Sequence, residues 1–119
     1  MTPFGLKMRE WRQSQKLTQE HQAEYLGVSK AYISALEVGR RGKPSVLLVD
    51  QICVWLGLIW DDAELKRLAS LSHPKPSVDV RGQDADAVYL ANLFAQNINR
   101  FSLKDCKELI DEIEQRMSQ

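Results

Sequence analysis

Two short helical segments follow one another within residues 17–39, with only three residues between them. Thr18 is a favourable N-cap for the first segment, which ends at Leu26. Ser29 is the N-cap of the second segment, which ends at Val38. A glycine follows each segment directly, and glycine readily adopts the left-handed backbone that ends a helix. This spacing predicts a helix-turn-helix unit.

The rest of the chain is also predicted to be helical. Proline and glycine divide it into segments with helical spacing of apolar residues, and alternating strand patterns are almost absent. We therefore predict an all-α chain with helices over 4–14, 18–26, 29–38, 45–56, a fifth ending at 72, 84–99 and 102–117. Asp61 and Asp62 are alternative caps of the fifth helix, and Ser102 with Asp105 forms a variant capping box for the last.

A stretch rich in proline and glycine separates the last two helices from the others. Residues 73–83 contain Pro74, Pro76 and Gly82 and show no helical periodicity, which is typical of a linker. The sequence thus predicts a helix-turn-helix domain over 1–72, a linker over 73–83 and a C-terminal helical hairpin over 84–119.

Charge is distributed unevenly along a chain whose formal net charge is zero. Residues 1–60 hold 8 basic and 5 acidic residues, whereas residues 61–119 hold 8 basic and 11 acidic residues. Because contacts to phosphate need cations, the basic half is the candidate for binding nucleic acid. The acidic half is expected to do something else.

The second helix of the helix-turn-helix unit is the one that enters the major groove in such motifs. Its exposed face is expected to carry Lys30, Ala31 and Ser34.

The chain resembles the XRE/Cro-type, or lambda-repressor-like, helix-turn-helix regulators over about residues 4–71. The elements that carry this resemblance are Leu17-Thr18-Gln19, Ala23, Leu26-Gly27-Val28-Ser29, Ile33-Ser34, Leu36-Glu37 and Gly39, with Arg9 and Trp11 upstream and a fourth helix after Pro44. The resemblance implies a five-helix bundle that binds operator DNA as a dimer and usually represses transcription. In such regulators Gln19 would hold a phosphate, and the loop after the second helix of the motif would follow the neighbouring backbone. Lys30, Ala31 and Ser34 match positions that commonly meet base edges in this family, where Lys30 would donate to guanine, Ala31 would touch a thymine methyl, and Ser34 would bond a base or a phosphate. The resulting set of DNA-binding candidates is Gln19, Ser29, Lys30, Ala31, Tyr32, Ser34, Arg40, Arg41 and Lys43.

Three further residues of this region carry separate expectations. For Tyr32 two roles stay open, a phosphate contact through its hydroxyl or packing at the edge of the helix. Glu37 would repel phosphate, so we expect it to be structural and paired with Arg9 or Arg12. Gln22 stands where related regulators have an aliphatic core residue, which leaves the packing beneath that helix undetermined.

The C-terminal hairpin carries an apolar seam. The candidate dimerisation residues are Phe94, Ile98, Leu103, Cys106, Ile110, Ile113 and Met117. In the last helix they are spaced by three and four residues, as in a heptad seam. Three roles remain open: the two helices cover each other, the seam joins two copies of the chain, or it binds another protein, as in antitoxins. We favour the homodimer, because a hairpin this short buries little by itself.

Other classes of function find little support in the sequence. Cys53 and Cys106 lie far apart in apolar helical patterns, which predicts buried free thiols. No catalytic residues, metal ligands or cofactor motif can be assigned. We also expect no room after residue 82 for the separate peptidase domain, with its serine and lysine pair, that self-cleaving phage repressors carry. An antirepressor or toxin is a possible protein partner. We expect no membrane segment and a cytoplasmic location.

Overall fold

The computed structural model describes residues 1–58 and 62–118. Its helices are α1 Pro3–Ser14, α2 Gln19–Leu26, α3 Lys30–Val38, α4 Val46–Leu56, α5 Asp62–Ser70, α6 Ala85–Asn97 and α7 Leu103–Met117, with a 3-10 turn at Ile98–Arg100. No strand occurs within these described ranges. The prediction of an all-α chain is therefore confirmed.

The helices fall into two compact units, Met1–Pro76 and Ser77–Gln119. The first, called here the N-terminal unit, contains α1 to α5, and the second, the C-terminal unit, contains α6 and α7. The division after Pro76 falls inside the segment 73–83, which carries no helix.

Local side-chain caps set where the helices of the helix-turn-helix begin. The Thr18 hydroxyl accepts from the His21 backbone N–H at 3.1 Å, and His21 Nδ1 accepts from the Thr18 N–H at 3.1 Å. This reciprocal pair satisfies two donors that a helix start leaves without partners. Ser29 accepts from the Tyr32 N–H at 3.0 Å. Both helices end at left-handed glycines, Gly27 with φ 70° and Gly39 with φ 86°.

The other helix ends differ slightly from the expected ones. α1 begins one residue early, because Thr2 caps it and Pro3 fits the first helical position. α6 ends at Asn97 instead of residue 99, and the chain continues as a 3-10 turn. Asp62 opens α5. The alternative cap Asp61 lies outside the described residues.

A contiguous apolar core holds the N-terminal unit together. It consists of Phe4, Met8, Leu36, Val49, Ile52, Cys53, Leu56, Leu65 and Ala69. Trp11 of α1 is partly buried and packs against this core. On α4 the buried residues are Val49, Ile52, Cys53 and Leu56, whereas Leu48 is only partly buried.

Gly5 lets α1 approach α3 closely. A Cβ atom at this position would overlap the backbone carbonyl of Glu37. The Thr2 backbone N–H donates to the same carbonyl at 3.1 Å, which ties the start of α1 to the end of α3. The two helices thus meet backbone to backbone, so their relative position is fixed near the candidate DNA-binding face.

The C-terminal unit has a different character. Its last helix opens with the expected capping box, because Ser102 accepts from the Asp105 N–H and Asp105 accepts from the Ser102 N–H, each at 3.0 Å. Among its described residues none is buried on α6, the 3-10 turn or α7.

The two cysteines lie in different surroundings. Cys53 is buried, and removal from water raises the pKa of its thiol. Cys106 is only partly buried, so the expectation of two buried thiols is wrong for this residue. The physical reason is that Cys106 lies in the C-terminal unit, whose two helices cover each other incompletely.

Candidate nucleic-acid interface

The turn between α2 and α3 is tight and internally bonded. The Val28 N–H donates to the Ala23 carbonyl at 2.9 Å, across the left-handed Gly27. Ala23 is only 5% exposed, and its small side chain allows the two helices to pack closely. The unit therefore presents α3 at a fixed angle relative to α2.

The exposed face of α3 carries the three residues predicted to meet base edges. Lys30, Ala31 and Ser34 are all exposed. Ser29 is exposed as well, but its hydroxyl accepts the capping bond from the Tyr32 N–H. The structure thus brings these side chains together on one surface, while their contacts with DNA stay predictions.

Lys30 is held by an acidic neighbour that the sequence analysis did not consider. Its ammonium lies 2.8 Å from Glu20 Oε1 on α2, and both side chains are largely exposed. The hydrogen bond from Lys30 lowers the pKa of Glu20 from an ordinary 4.5 to about 2. At neutral pH the ion pair is therefore complete, and any anion that approaches Lys30 must compete with Glu20 for it.

Gln19 links the exposed face of α3 to the interior. Its amide Nε2 donates to Glu37 Oε2 at 3.1 Å. Its carbonyl Oε1 accepts from the Ser34 hydroxyl at 3.2 Å. Gln19 is half-buried, so its amide lies between a buried carboxylate and a surface hydroxyl.

Beneath Gln19 lies a buried polar cluster formed by Arg12, Gln22 and Glu37. The Arg12 guanidinium donates through Nη1 to Glu37 Oε1 at 2.5 Å and to Gln22 Oε1 at 3.0 Å. The amide of Gln22 donates in turn to the sulfur of Met8 at 3.1 Å. Arg12, Gln22 and Glu37 are 4%, 0% and 2% exposed, so the bonds form away from water.

These contacts answer two questions that the sequence left open. Glu37 is structural and pairs with Arg12, as expected, with Arg9 Nε further away at 3.9 Å from its second oxygen. Gln22 occupies the core as a polar residue whose carbonyl accepts from Arg12. The signal that could have revealed the cluster is a polar residue at an apolar position: Arg12 follows Phe4 and Met8 at intervals of four on one face of α1.

The basic loop after α3 is exposed. Arg40, Arg41 and Lys43 all face solvent. The Arg41 guanidinium lies over the Tyr32 ring, 4.9 Å from its centroid, and this contact holds the loop against α3. Tyr32 itself is partly buried and packs against the core.

An apolar groove of about 180 Å³ lies between α6 and α7 in the C-terminal unit. Five of the predicted dimerisation residues line it, namely Phe94, Ile98, Cys106, Ile110 and Ile113. Leu103 and Met117 are not among its lining residues and are 71% and 76% exposed. Phe101 and Leu109 complete the lining, and the Phe101 ring lies 5.9 Å from that of Phe94. The sequence did not predict Phe101 as part of this surface, because Phe101 lies between the two predicted helices and belongs to neither apolar pattern.

No group of three or more His, Cys, Asp or Glu side chains that could hold a metal ion occurs within the described residues. Within residues 1–58 and 62–118, no helix is both long and apolar enough to cross a bilayer.

Comparison with known proteins identifies a family and two related regulators. The model of a helix-turn-helix domain family matches residues 3–68, which include α1 to α4 and most of α5. The chain is 37% identical over 62 residues to an uncharacterized HTH-type transcriptional regulator of Bacillus subtilis, RghRB, and this match covers 52% of the chain and 45% of that protein. It is 31% identical over 98 residues to the HTH-type transcriptional repressor RghR of the same organism, which covers 78% of the chain and 73% of that protein.

The search of solved structures returned no match. The family model spans more than half of the chain and includes both helices of the tight turn described above. This chain therefore belongs to the helix-turn-helix domain family.

Proposed function

We propose that this protein is a sequence-specific regulator of transcription that reads double-stranded operator DNA with α3, in the manner of XRE/Cro-type regulators. The observation that carries the proposal is the exposure of Lys30, Ala31 and Ser34 on one face of a helix that a closed turn holds against α2. A helix presented in this way fits the major groove of B-DNA, where each base pair has its own pattern of donors and acceptors.

Contacts to phosphate would flank this reading face. Arg40, Arg41 and Lys43 form an exposed basic loop directly after α3. On the other side, Gln19 lies at the start of α2, where the helix leaves backbone N–H groups for an anion. These residues would fix the position of α3 on the duplex, while the residues on its exposed face would read the sequence.

The C-terminal unit would join two copies of the chain. The apolar groove of this unit is lined by side chains that remain 40–56% exposed in the single chain, namely Phe94, Ile98, Ile110 and Ile113. A second copy of the same hairpin would cover this groove through a two-fold interface. A dimer of this kind matches an operator with two half-sites about 34 Å apart, or a small multiple of that distance.

Repression is the direction of regulation that we propose. One of the two relatives is named a repressor, and it is the one whose match to this chain is the longer. A regulator that represses by covering a promoter needs only to bind DNA there. The N-terminal unit would supply the DNA contacts, and the C-terminal unit would join two copies on the operator.

Selection of bound DNA from a random pool tests the reading function. Lys30→Ala should relax the preference at one operator position at a cost of about 1–3 kcal/mol. Arg41→Ala should instead weaken binding to all sequences alike and lower the slope of the salt dependence by about one. If neither substitution changed operator affinity in a band-shift titration, the proposed docking of α3 would be wrong.

A second candidate function is favoured by the same apolar groove. In an antitoxin-like module the C-terminal unit would bind a different protein while the N-terminal unit regulates its own operon. Light scattering on the full chain discriminates between the two functions. A stable dimer supports the proposed self-association, whereas a monomer at high concentration favours a groove that binds another protein.

A further inference from the structure

The chain of hydrogen bonds from the protein interior to Ser34 has only one possible direction. Glu37 lies beside the Arg12 guanidinium, and an ionised carboxylate can only accept hydrogen bonds. The group that Gln19 turns towards Glu37 must therefore be its NH2 group, in agreement with the 3.1 Å contact from Nε2. This leaves the Gln19 carbonyl oxygen on the side of Ser34.

The same reasoning applies at the next contact. A carbonyl oxygen accepts and never donates, so the hydroxyl of Ser34 must supply the proton of its 3.2 Å bond to Gln19 Oε1. A serine hydroxyl has a single proton. With that proton engaged, Ser34 presents only acceptor lone pairs to anything that approaches the exposed face of α3.

We infer that the buried Arg12–Glu37 pair sets the specificity of Ser34, by making it an obligate acceptor that selects a base with a major-groove donor, adenine or cytosine. The inference rests on the proposed function, because it assumes that α3 enters the major groove. Serine alone pairs with donors and acceptors alike. Here the fixed amide of Gln19 removes that ambiguity, so Glu37 and Gln19 are positioning residues for the base contact of Ser34.

A contact from Ser34 to the DNA backbone is disfavoured on the same grounds. Phosphate oxygens are acceptors, so Ser34 would have to abandon its bond to Gln19 in order to donate to one. Adenine presents its N6 amino group and cytosine its N4 amino group, and neither requires this loss. The cleanest discrimination is between cytosine, which offers only a donor in the major groove, and guanine, which offers only acceptors.

The test begins with the full-length protein and the operator obtained from the random pool. Ser34→Ala identifies the contacted base pair, because it should flatten the preference at one position. At that position the wild-type protein should bind cytosine at least about fivefold more tightly than guanine on the contacted strand, which is the lower end of the usual cost of one mismatched base pair. If Ser34→Ala kept the base preference of the wild-type protein at every operator position, the inference would be overturned, although DNA binding itself would be intact.

Two substitutions then address the direction of the hydrogen bonds. Gln19→Ala frees the Ser34 proton, so the ratio of affinities for cytosine and guanine should fall to about one. Glu37→Gln must keep its carbonyl towards Arg12 and turn its NH2 group to Gln19, which reverses the Gln19 amide. Ser34 would then accept from Gln19 through one lone pair and keep its proton and its other lone pair for the base, so the ratio of affinities for cytosine and guanine should again fall to about one.

Arg41→Ala is the matched control, since loss of a backbone contact should lower the affinity for both operators equally. A ratio that Gln19→Ala leaves at the wild-type value would overturn the inference, because it would show that Gln19 acts only through phosphate or stability. If circular dichroism shows that Glu37→Gln does not fold, the affinity ratio of Gln19→Ala alone decides whether the inference stands. Failure of the wild-type protein to select any sequence would overturn the proposed function and this inference together.

Discussion

The two units of this molecule bury their apolar side chains to different extents. Among its described residues, the N-terminal unit encloses a core of nine buried side chains, which include Phe4 and Ile52, together with a buried ion pair. In the C-terminal unit the apolar residues remain largely exposed, and within its described part α6 and α7 contain no buried side chain.

The difference concerns where the stabilising contacts come from. Five helices can surround an interior, whereas two helices have only one shared face and leave the outer part of each apolar stripe in water. The N-terminal unit is therefore expected to be stable by itself. The C-terminal unit is expected to gain its stability from whatever covers its groove. Four substitutions test this comparison, and they are ordered by expected effect.

The largest effect is expected at the buried ion pair. Glu37→Ala leaves the Arg12 guanidinium buried without its carboxylate, and breaking such a pair typically lowers the free energy of unfolding by about 3–5 kcal/mol. All three tryptophans precede residue 77, so urea unfolding followed by tryptophan fluorescence reports on this unit. The control Glu10→Ala removes an exposed pair with Lys7, 3.4 Å apart on α1, and should cost less than about 1 kcal/mol. Equal losses for both variants would contradict the view that burial makes the difference.

The next effect is expected at the contact between α1 and α3. Gly5→Ala places a Cβ against the backbone carbonyl of Glu37, which cannot rotate away as a side chain can. Forcing these helices apart should destabilise the N-terminal unit by about 3 kcal/mol. At Gly27 a Cβ would meet open space and only the left-handed backbone is unfavourable, so Gly27→Ala should cost about 1 kcal/mol. Thermal unfolding monitored by circular dichroism compares the two, and a Gly5→Ala protein as stable as wild type would show that the helices separate without loss.

A smaller effect is expected in the C-terminal unit, and it should appear in assembly. Ile110→Asp places a charge in the groove between α6 and α7. Loss of a central apolar contact of about 2 kcal/mol would raise the dissociation constant of the proposed dimer about 30-fold. Gln115→Asp adds the same charge to an exposed residue of α7 outside the groove lining and serves as the control. Sedimentation equilibrium measures both, and identical dimer strength in the two variants would exclude this groove as the interface.

The smallest effect is expected at the surface pair of Lys30 and Glu20. Glu20→Gln releases Lys30 and removes a negative charge near the duplex, so operator affinity should rise about twofold to fivefold at low salt. Glu24→Gln, on the same helix, is the control. Band-shift titrations at two salt concentrations measure the gain, which should shrink as salt increases. An equal gain in both variants would indicate general repulsion of DNA by α2 instead of competition for Lys30.

The pH dependence of this pair follows from the direction of its shift. Because the pKa of Glu20 is lowered from 4.5 to about 2, the pair stabilises the folded protein fully above pH 4.5 and loses this contribution as pH falls towards 2. Between pH 5 and 8 the carboxylate stays ionised. The effect of Glu20→Gln on operator affinity should therefore be the same throughout that range.

Much of the fold could be predicted because its signals are local. The caps Thr18, Ser29 and Ser102 bond N–H groups only three residues away, so a short stretch of sequence contains the whole interaction. The same holds for the glycines that end α2 and α3, since each directly follows the last residue of its helix. The assignment of bases and phosphates to individual side chains, and the dimer itself, remain predictions.

The candidate site was predictable only at its surface. The pattern of α3 was enough to place Lys30, Ala31 and Ser34 on the exposed face, whereas the cluster below them joins residues that are distant in sequence. Arg12 lies 25 residues from Glu37 and 10 from Gln22. Such pairings depend on how α1 crosses α2 and α3, which helical periodicity does not specify.

The amino-acid sequence by itself determined the presence of the helices, the caps and glycines that bound α2 and α3, and the face of α3 that points outward, because each follows from interactions within one or two turns of the chain. Only the tertiary structure decided that Lys30 meets Glu20 and that Gln19 stands between Glu37 and Ser34. The physical reason is that a hydrogen bond requires two groups within about 3 Å and in the correct orientation. For groups on different helices, that condition is met only once the helices have packed.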